Sequence, residues 1–418
     1  RAGGAERMAI DAVFVGTLIG ASIITGLITL QARTSVLGKG LQSSAAFKSF
    51  QLIFLLAYYS AMTADWLQGP YVYALYASYG FSSHDIAILF VAGFGSSMIF
   101  GTFAGALADR LGRKRACQLY CVLYALACVT KHVKSYWVLM LGRVLGGIST
   151  SLLFSSFEAW LICEHNSRGY EAPALSNSFS LMYLGNSICA ICAGLVAEAA
   201  ADLAPLTAVS ATSAWHYGGN TAPFDLSAGF LLLCLVLVSA CWTENYGEAR
   251  PRAGGDEERP GGTASLEARS SPNFRRVLVA TLSDPTLVLC GVAVALFEGS
   301  MYIFVFNWTP ALSAGHKDKD RPPFGFIFAT FMVACMGGSS AYALLSHRVP
   351  VARLLAGVFA AAAVALVVPV VTSGTLAVLL ACMAFEACVG VYYPAMGTLK
   401  SRLVPEAARA TIYNIYRI

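Results

Sequence analysis

The chain has 418 residues, of which 57% are hydrophobic and only 12% are charged, and its mean hydropathy is +0.64. A soluble domain carries about 25% charged residues, so this chain lacks the polar surface that several water-soluble domains need. The composition also excludes disordered, collagen-like and coiled-coil proteins, and the net charge of +5 is too small to suggest a nucleic-acid partner. A protein embedded in the lipid bilayer remains.

Eleven apolar stretches are long enough to cross a bilayer, which takes about 20 residues in a helix. Most of them end at charged residues, Gly or Pro. One long polar interval, 244–284, is rich in Gly and in charges of both signs, a composition typical of a flexible linker. The predicted helices run over about 9–30, 50–79, 85–107, 116–132, 136–162, 175–199, 224–242, 285–311, 324–346, 352–371 and 375–399.

These features divide the chain into four parts. We predict an extra membrane helix and a short cytoplasmic loop in 1–46, and a six-helix half in 47–243. A flexible cytoplasmic linker in 244–284 then leads to a second helical half in 285–418. The predicted fold class is therefore an all-α, polytopic membrane protein built from two helical halves.

The distribution of basic residues predicts the orientation of the helices. Most of the 28 Lys and Arg residues fall on the side of the loop 110–115, and the excess remains when the linker is left out. This loop and the linker are therefore expected inside the cell. Arg1 and Arg7 before the first apolar stretch also fit a signal peptide. The length of the stretch and the position of Asp11 favour a retained helix.

The cysteines do not indicate a chemical site. The chain has 12 of them, nearly all within apolar runs, where cysteine behaves as a small packing residue. Cys189 and Cys192 have metal-motif spacing but lack a second pair or a nearby His. We expect no metal, no cofactor and no disulfide framework. We do not expect an enzyme either, since no nucleophile–base pair or phosphate-binding loop is found.

The loop after the third predicted helix reads Gly-Ala-Leu-Ala-Asp-Arg-Leu-Gly-Arg-Lys-Arg over residues 105–115. Gly105 allows a close helix approach, Asp109 can pair with a cation or a helix N-terminus, and Gly112 allows a tight turn. The alternative is a generic basic loop. The sequence resembles the signature loop of the major facilitator superfamily. The resemblance implies a gating role for Gly105, Asp109, Arg110, Gly112, Arg113 and Lys114.

A second motif fits major facilitators more loosely. Arg143 and Gly147 match the Arg and the central Gly of a pattern in the fourth helix of that superfamily. Gly146 and Ser149 replace the polar residue and the last Gly of the pattern. We favour a cavity role for Arg143. The alternative is an Arg near a helix end that extends to the membrane interface.

Several blocks narrow the resemblance to the molybdate-anion transporter family, a eukaryotic branch of the major facilitators. The blocks are Thr63–Tyr73, Gly142–Thr150, Phe154–Trp160, Phe297–Glu298 and Trp308–Pro310. The resemblance implies a major facilitator fold with two pseudo-symmetric halves and molybdate uptake across the plasma membrane. It also implies twelve core helices, whereas ten are found after residue 50. We expect that the second half is truncated in this sequence; the alternative is a natively short protein.

Five charged residues inside the predicted helices are the main functional candidates, because such charges are costly in a bilayer. Asp65, Glu158, Glu298, Glu386 and Arg143 fall on the first, fourth, seventh and tenth core helices. In major facilitators these helices line the central cavity. The predicted cavity residues are Arg143, Asp65, Gln68, Tyr71, Glu298, Asn307, Glu158 and Glu386. A purely structural Arg143–Asp65 ion pair is the alternative.

The expected substrate is an anion, although four acids face one Arg. A doubly charged tetrahedral anion is best held by Arg, hydroxyl and N–H donors. Protons could enter with the anion on the acids, or Arg143 could be released from an acid when the anion binds. We predict a secondary transporter that imports molybdate by alternating access. The alternatives are a non-transporting sensor or scaffold with this fold, or a facilitator for another small solute.

Overall fold

The computed structural model describes residues 2–36, 44–247, 282–314, 322–404, 412 and 416. These residues are helical almost throughout. The helices are α1 (Ala2–Val36), α2 (Ala45–Gln68), α3 (Val72–Ser78), α4 (Ser83–Leu111), α5 (Arg113–Thr130), α6 (Tyr136–Ser167), α7 (Ala172–Asp202), α8 (Ala222–Cys241), α9 (Pro285–Ser313), α10 (Phe324–Leu345), α11 (Val351–Val371) and α12 (Thr375–Leu403). A short ribbon pairs β1 (Thr207–Ala208) with β2 (His216–Tyr217) in antiparallel register.

The all-helical membrane fold predicted from the sequence is confirmed. Each of the eleven predicted stretches coincides with a helical segment, and α2 and α3 together form one of them, Ala45–Ser78. Within the described ranges, ten segments are long and apolar enough to cross a membrane. The exception is α5, because its first turn carries Arg113, Lys114 and Arg115 and lowers its hydropathy. The span predicted over 116–132 is helical in the structure up to Thr130, and its crossing of the membrane stays a prediction.

The helix boundaries follow from local chemistry. Ser44 accepts a hydrogen bond from the backbone N–H of Phe47 and so caps the start of α2. Ser82 and Asp85 form a reciprocal capping box at the start of α4. Between α2 and α3, Gly69–Tyr71 tightens into a 3₁₀ turn. Pro70 causes this break, because proline lacks the N–H group that a regular α-helix needs.

The two ends of the bundle are named by their loops. The basic end carries the turn between α4 and α5, and the opposite end carries the turn between α3 and α4.

In the first half, α6 packs on α4 and α5, while α2 packs on α7 and α8. In the second half, α12 packs on α10 and α11. Small residues bring these helices together: a side chain at Gly338 on α10 would collide with the backbone of Ala387 on α12.

Helix α1 precedes the first half in the chain but packs on the second half. Thr25 donates a hydrogen bond of 3.1 Å to the backbone oxygen of Val333 on α10. One turn further on, the hydroxyls of Thr29 and Ser340 lie 2.8 Å apart. The contacts advance in the same direction on both helices, so α1 runs parallel to α10.

The two halves meet towards the opposite end. Gly194 on α7 lies against Gly325 on α10, and the Glu198 carboxylate accepts a hydrogen bond from the backbone N–H of Gly325. Aromatic rings extend this contact through the pairs Trp66–Phe328, Tyr71–Phe324, Tyr73–Phe306, Phe90–Phe306 and Phe94–Tyr302. At the basic end, no hydrogen bond or ring contact joins the halves between described residues. The halves are thus closed together at the opposite end.

Of the predicted linker, residues 248–281 lie outside the described residues. The preceding residues do not leave the first half directly. The backbone N–H of Gly247 donates to the oxygen of Asp109, and Asn245 accepts from the N–H of Arg113. The packed part of the first half therefore continues to Gly247.

Candidate functional site

Arg143 lies on α6 in a cradle formed by α4. Its Nε donates a hydrogen bond of 3.1 Å to the backbone oxygen of Leu89. The guanidinium carbon lies 4.8 Å from the ring centre of Phe90 and 5.8 Å from that of Phe94. Gly93 makes this position possible, since a Cβ atom there would lie 2.5 Å from Nη2. Helix α4 therefore fixes one edge and one face of the guanidinium group.

The other edge of the guanidinium group remains unoccupied. Nη1 and Nη2 of Arg143 make no hydrogen bond, and the residue makes no ion pair, among the residues that the structure describes. Aromatic rings stabilise the charge without using its N–H donors. The free donors form the planar fork that binds carboxylates and tetrahedral oxyanions bidentately. The alternative of an Arg143–Asp65 ion pair is not seen.

Asp65 is bound by a neutral donor instead. The Tyr124 hydroxyl on α5 donates a hydrogen bond of 2.6 Å to Oδ1 of Asp65. The Tyr124 ring packs against α6 at Gly146, where a Cβ atom would lie 3.6 Å from it. Tyr124 therefore contacts both Asp65 and helix α6, which carries Arg143.

Two of the remaining predicted acids also accept a tyrosine hydroxyl. Tyr183 donates to Glu158 at 3.2 Å, and Tyr392 donates to Glu298 at 3.1 Å. Glu386 is only 9% exposed and has no hydrogen bond or ion pair with any described residue. None of the four acids is paired with a cation in the described part of the chain. None of these acids therefore neutralises the charge of Arg143, which can interact with an anion.

The structure places the other predicted cavity residues elsewhere. Gln68 is buried and donates to Ser227 on α8 at 3.1 Å, so its amide group is used within the first half. Tyr71 donates to Glu198 at 2.7 Å at the opposite end. Asn307 is exposed and donates to the backbone oxygen of Ile303 in its own helix. These contacts do not bring the three side chains to Arg143.

The signature loop is built around two carboxylates. Asp109 accepts from Arg113 at 2.8 Å, and Arg113 also donates to the backbone oxygen of Ala159 on α6. Gly112 has a φ of +105°, and a Cβ atom there would lie 2.5 Å from the Glu244 carboxyl carbon. Glu244 accepts from the backbone N–H of Lys114 at 2.8 Å and thereby caps the start of α5.

The loop also joins the end of α8. The Lys114 ammonium donates to the backbone oxygens of Ser239 and Trp242 at 2.9 and 2.7 Å. Arg110 and Gly105 are exposed, and a Cβ atom at Gly105 would meet no described atom within 4 Å. The close helix approach predicted at Gly105 thus has no partner among the described residues.

Sequence reasoning missed three residues near these sites. Tyr124 was overlooked because it lies on the third core helix, which is not among the four that line the cavity in major facilitators. Glu198 is 6% exposed inside α7 and extends the set of intramembrane acids beyond those four helices. Its position in an apolar stretch was the available signal. Glu244 lies in the segment predicted to be a flexible linker, so its capping role left no sequence signal.

A separate cleft opens at the opposite end. It has a volume of about 530 Å³ and lies between α3, α9 and the start of α10. Its lining includes Tyr73, Asn220, Thr309, Ser313 and Phe324, and none of the five predicted intramembrane charges. The cleft and the Arg143 site are therefore distinct features.

The fold and the signature loop define a major facilitator. A family model described as sugar transporters with 12 transmembrane segments matches residues 13–392. The nucleoside transporter NupG superposes with a TM-score of 0.62 at 12% identity, covering 88% of this chain and 85% of that one. A D-xylose-proton symporter gives 0.60 at 14% identity, with 88% and 86% coverage. The chain is a multi-pass membrane protein with a transporter fold.

Sequence relatives narrow the class further. The molybdate-anion transporter of Xenopus tropicalis is 36% identical over 386 residues, which are 89% of this chain and 77% of the relative. That of Danio rerio is 34% identical over 431 residues, 97% of this chain and 85% of the relative. The chain belongs to the molybdate-anion transporter family of the major facilitator superfamily, as the sequence resemblance predicted.

Proposed function

We propose that this protein imports molybdate or a similar tetrahedral oxyanion by alternating access, with Arg143 as the anion-binding residue. The relatives in this family are named molybdate-anion transporters. The observation that carries the proposal is the unoccupied fork of Arg143 in a membrane helix. Its Nε is fixed by Leu89 and its face by Phe90, so Nη1 and Nη2 are oriented before an anion arrives.

The geometry of the fork suits a doubly charged tetrahedral anion. Two parallel N–H donors match two oxygens of such an anion, and hydrogen bonds to a charged group contribute about 1.5–3 kcal/mol each. The desolvated aromatic cradle strengthens them, because charges interact more strongly where water is excluded. A lysine would lack the fork and the flat face that packs on Phe90.

The acids suggest how the negative charge of the substrate is tolerated. Asp65, Glu158 and Glu298 accept hydrogen bonds from neutral tyrosine hydroxyls and pair with no cation among the described residues, so in its charged form each would repel an incoming anion. Glu386 has no donor among the described residues, and an unpaired buried carboxylate is costly in its charged form. We infer that protons enter with the anion and that Glu386 is the first acid to carry one.

Alternating access would be a rocking of residues 50–243 against residues from 285 onwards. The contacts between Gly194 and Gly325 and the aromatic pairs close the opposite end in this structure. Opening this end while closing the basic end would move the Arg143 site from one side of the membrane to the other. The plasma membrane remains the predicted location.

Binding of radiolabelled molybdate to the purified protein in lipid nanodiscs tests the proposal. We expect Arg143→Gln to weaken binding at least about 100-fold, since two charge-assisted hydrogen bonds are lost. Arg143→Lys should bind molybdate more tightly than Arg143→Gln but less tightly than the wild type, because lysine restores the charge without the planar fork. The matched control is Arg353→Gln, which changes an exposed cation at the start of α11.

Several outcomes would contradict the proposal. Undiminished binding by Arg143→Gln would remove this residue from the anion site. Binding without uptake into proteoliposomes would favour the sensor or scaffold function. Uptake that does not depend on the proton gradient would reject the proposed role of Glu386. Competition by tungstate and sulfate would measure selectivity among tetrahedral anions.

A further inference from the structure

Glu198 joins the two halves at the opposite end. It lies near the end of α7 and is 6% exposed. Its Oε2 atom accepts a hydrogen bond of 2.7 Å from the Tyr71 hydroxyl in the first half. The same atom accepts one of 2.5 Å from the backbone N–H of Gly325 in the second half. One buried carboxylate oxygen therefore receives a donor from each half.

The backbones of α7 and α10 are closely packed around these groups. A Cβ atom on Gly194 would lie 2.7 Å from the backbone oxygen of Gly325. A Cβ atom on Gly325 would lie 2.6 Å from the Cβ of Glu198. Only glycine permits α7 and α10 to approach so closely. Because Glu198 is buried, its hydrogen bonds are stronger than in water and costly to leave unmade.

The chemistry of the two donors explains why a carboxylate is suited to this position. Gly325 is the second residue of α10, so its N–H belongs to the first turn, where helical donors have no internal acceptor. The partial positive charge of the helix N-terminus adds to the attraction. Tyr71 lies in the 3₁₀ turn that separates α2 from α3, which is the helix break of the first half. Glu198 thus ties the helix break of the first half to the start of α10.

Aromatic packing places the same helix break directly on α10. A Cβ atom at Gly69 would lie 3.2 Å from the ring of Phe328, and the rings of Tyr71 and Phe324 meet edge to face with centres 6.3 Å apart. Separation of α7 from α10 would break these contacts together with the hydrogen bond between Glu198 and Gly325, whereas the Tyr71–Glu198 hydrogen bond lies within the first half and holds the carboxylate in place. The helix break, α7 and α10 therefore form one seam.

We propose that Glu198, held by Tyr71, is the latch that keeps the opposite end closed, and that loss of its hydrogen bond to Gly325 is a required step in opening that end. The assignment rests on the alternating access of the proposed function, but not on the identity of the substrate. When the seam opens, Gly325 and Glu198 are rehydrated and α10 moves away with the second half.

Hydrogen–deuterium exchange of the purified chain in nanodiscs, without substrate, tests the latch. Glu198→Ala removes the acceptor, and we expect exchange at least about tenfold faster in peptides covering 192–202 and 324–331. Glu198→Gln should give a smaller increase, because its amide oxygen still accepts both donors but without charge. The control, Glu171→Gln, changes an exposed acid at the other end of α7 and should exchange like the wild type.

A second variant keeps the test decisive if Glu198→Ala folds poorly. Tyr71→Phe removes one donor without changing the shape of the side chain, and should speed exchange in the same two peptides. Peptides at the basic end, such as 109–117, should keep their wild-type rates in every variant. Wild-type rates at the seam in Glu198→Ala and Tyr71→Phe, or equal acceleration at both ends, would overturn the latch.

The experiment separates the latch from the anion proposal. Exchange is measured without molybdate, so it does not depend on Arg143. The wild-type protein could bind no molybdate while Glu198→Ala still exchanges faster at the seam. This result would reject the proposed substrate and support the latch. Normal molybdate binding with unchanged exchange would reject the latch and leave the substrate assignment intact.

Discussion

The Tyr124 hydroxyl donates a hydrogen bond of 2.6 Å to Asp65, and no ion pair joins Asp65 to Arg143 among the described residues. The acid on α2 is stabilised by a group on α5, which leaves the cation on α6 without a carboxylate partner among the described residues. The proposed anion site therefore depends on a residue that need not touch the anion.

Replacement of Tyr124 should convert Asp65 into a competitor for Arg143. In Tyr124→Phe the carboxylate loses its hydroxyl donor, and we expect it to compete for the guanidinium group of Arg143, which lies on the helix that Tyr124 contacts at Gly146. A hydrogen bond to a charged group contributes about 1.5–3 kcal/mol, so we expect molybdate binding to weaken roughly tenfold or more. Equilibrium binding in nanodiscs measures this change.

Two further variants identify the cause of that loss. Asp65→Asn in the Tyr124→Phe background removes the competing charge and should restore binding. Tyr120→Phe is the matched control, because Tyr120 lies one turn earlier on α5 and donates to the backbone oxygen of Ala61. A loss of binding that Asp65→Asn does not restore would show that Tyr124 acts by some other route.

A methyl group at Gly93 should displace the guanidinium group of Arg143. The Cβ atom of Gly93→Ala would lie 2.5 Å from Nη2, closer than side-chain atoms can pack. We expect molybdate binding to fall by about tenfold or more, because the fork would leave its fixed position. The thermal midpoint should change little, since alanine is favoured over glycine in a helix.

The control for Gly93→Ala is the same substitution two residues further along α4, at Gly95. A Cβ atom at Gly95 would meet no described atom within 4 Å, so Gly95→Ala should bind molybdate like the wild type. Wild-type affinity in Gly93→Ala would contradict the arrangement of α4 and Arg143 described above.

A pH-dependent contact is expected at the opposite end. His132 follows α5, and its Nε2 lies 2.9 Å from the Asp225 carboxylate while its Nδ1 lies 2.9 Å from the backbone oxygen of His216. Burial alone would lower the pKa of His132, but the hydrogen bonds to Asp225 and His216 raise it above its usual value. Both ring nitrogens can donate only in the charged form.

The sign of the effect follows from linkage. A raised folded-state pKa means that this contact stabilises the protein fully below the unfolded value, about 6.5. The stabilisation is lost as pH rises through the folded-state value. We therefore expect Asp225→Asn to lower the thermal midpoint at pH 5.5 and to have progressively less effect towards pH 8.5. A difference that is equal at both pH values would reject a charged His132 in the contact.

The helices could be predicted from hydropathy because the bilayer imposes length and apolar composition on every span. Arg143 and the signature loop could be recognised because their residue types and spacings are unusual. The surroundings of Arg143 could not, since contact with Gly93 depends on how α4 and α6 are aligned, which periodicity does not encode. Glu198 and Gly325 are 127 residues apart in the chain, and no local pattern connects them.

The tyrosine contacts illustrate the same limit. Asp65, Glu158 and Glu298 were correctly located inside helices, but their partners lie 59, 25 and 94 residues away. A charge in an apolar stretch is visible in the sequence, whereas its counterpart is one of 19 tyrosines. Pairing becomes visible only when the helices are assembled.

The packing of α1 on α10 has a consequence for the motion of the halves. From α1 on the second half, the chain passes to the first half at residues 37–43 and returns through 248–281. The halves are therefore connected covalently twice, and both connections leave helices at the basic end. The shorter one reaches at most about 29 Å when fully extended. The length of this connection therefore sets an upper limit on the distance between Val36 and Ser44 in any motion of the halves.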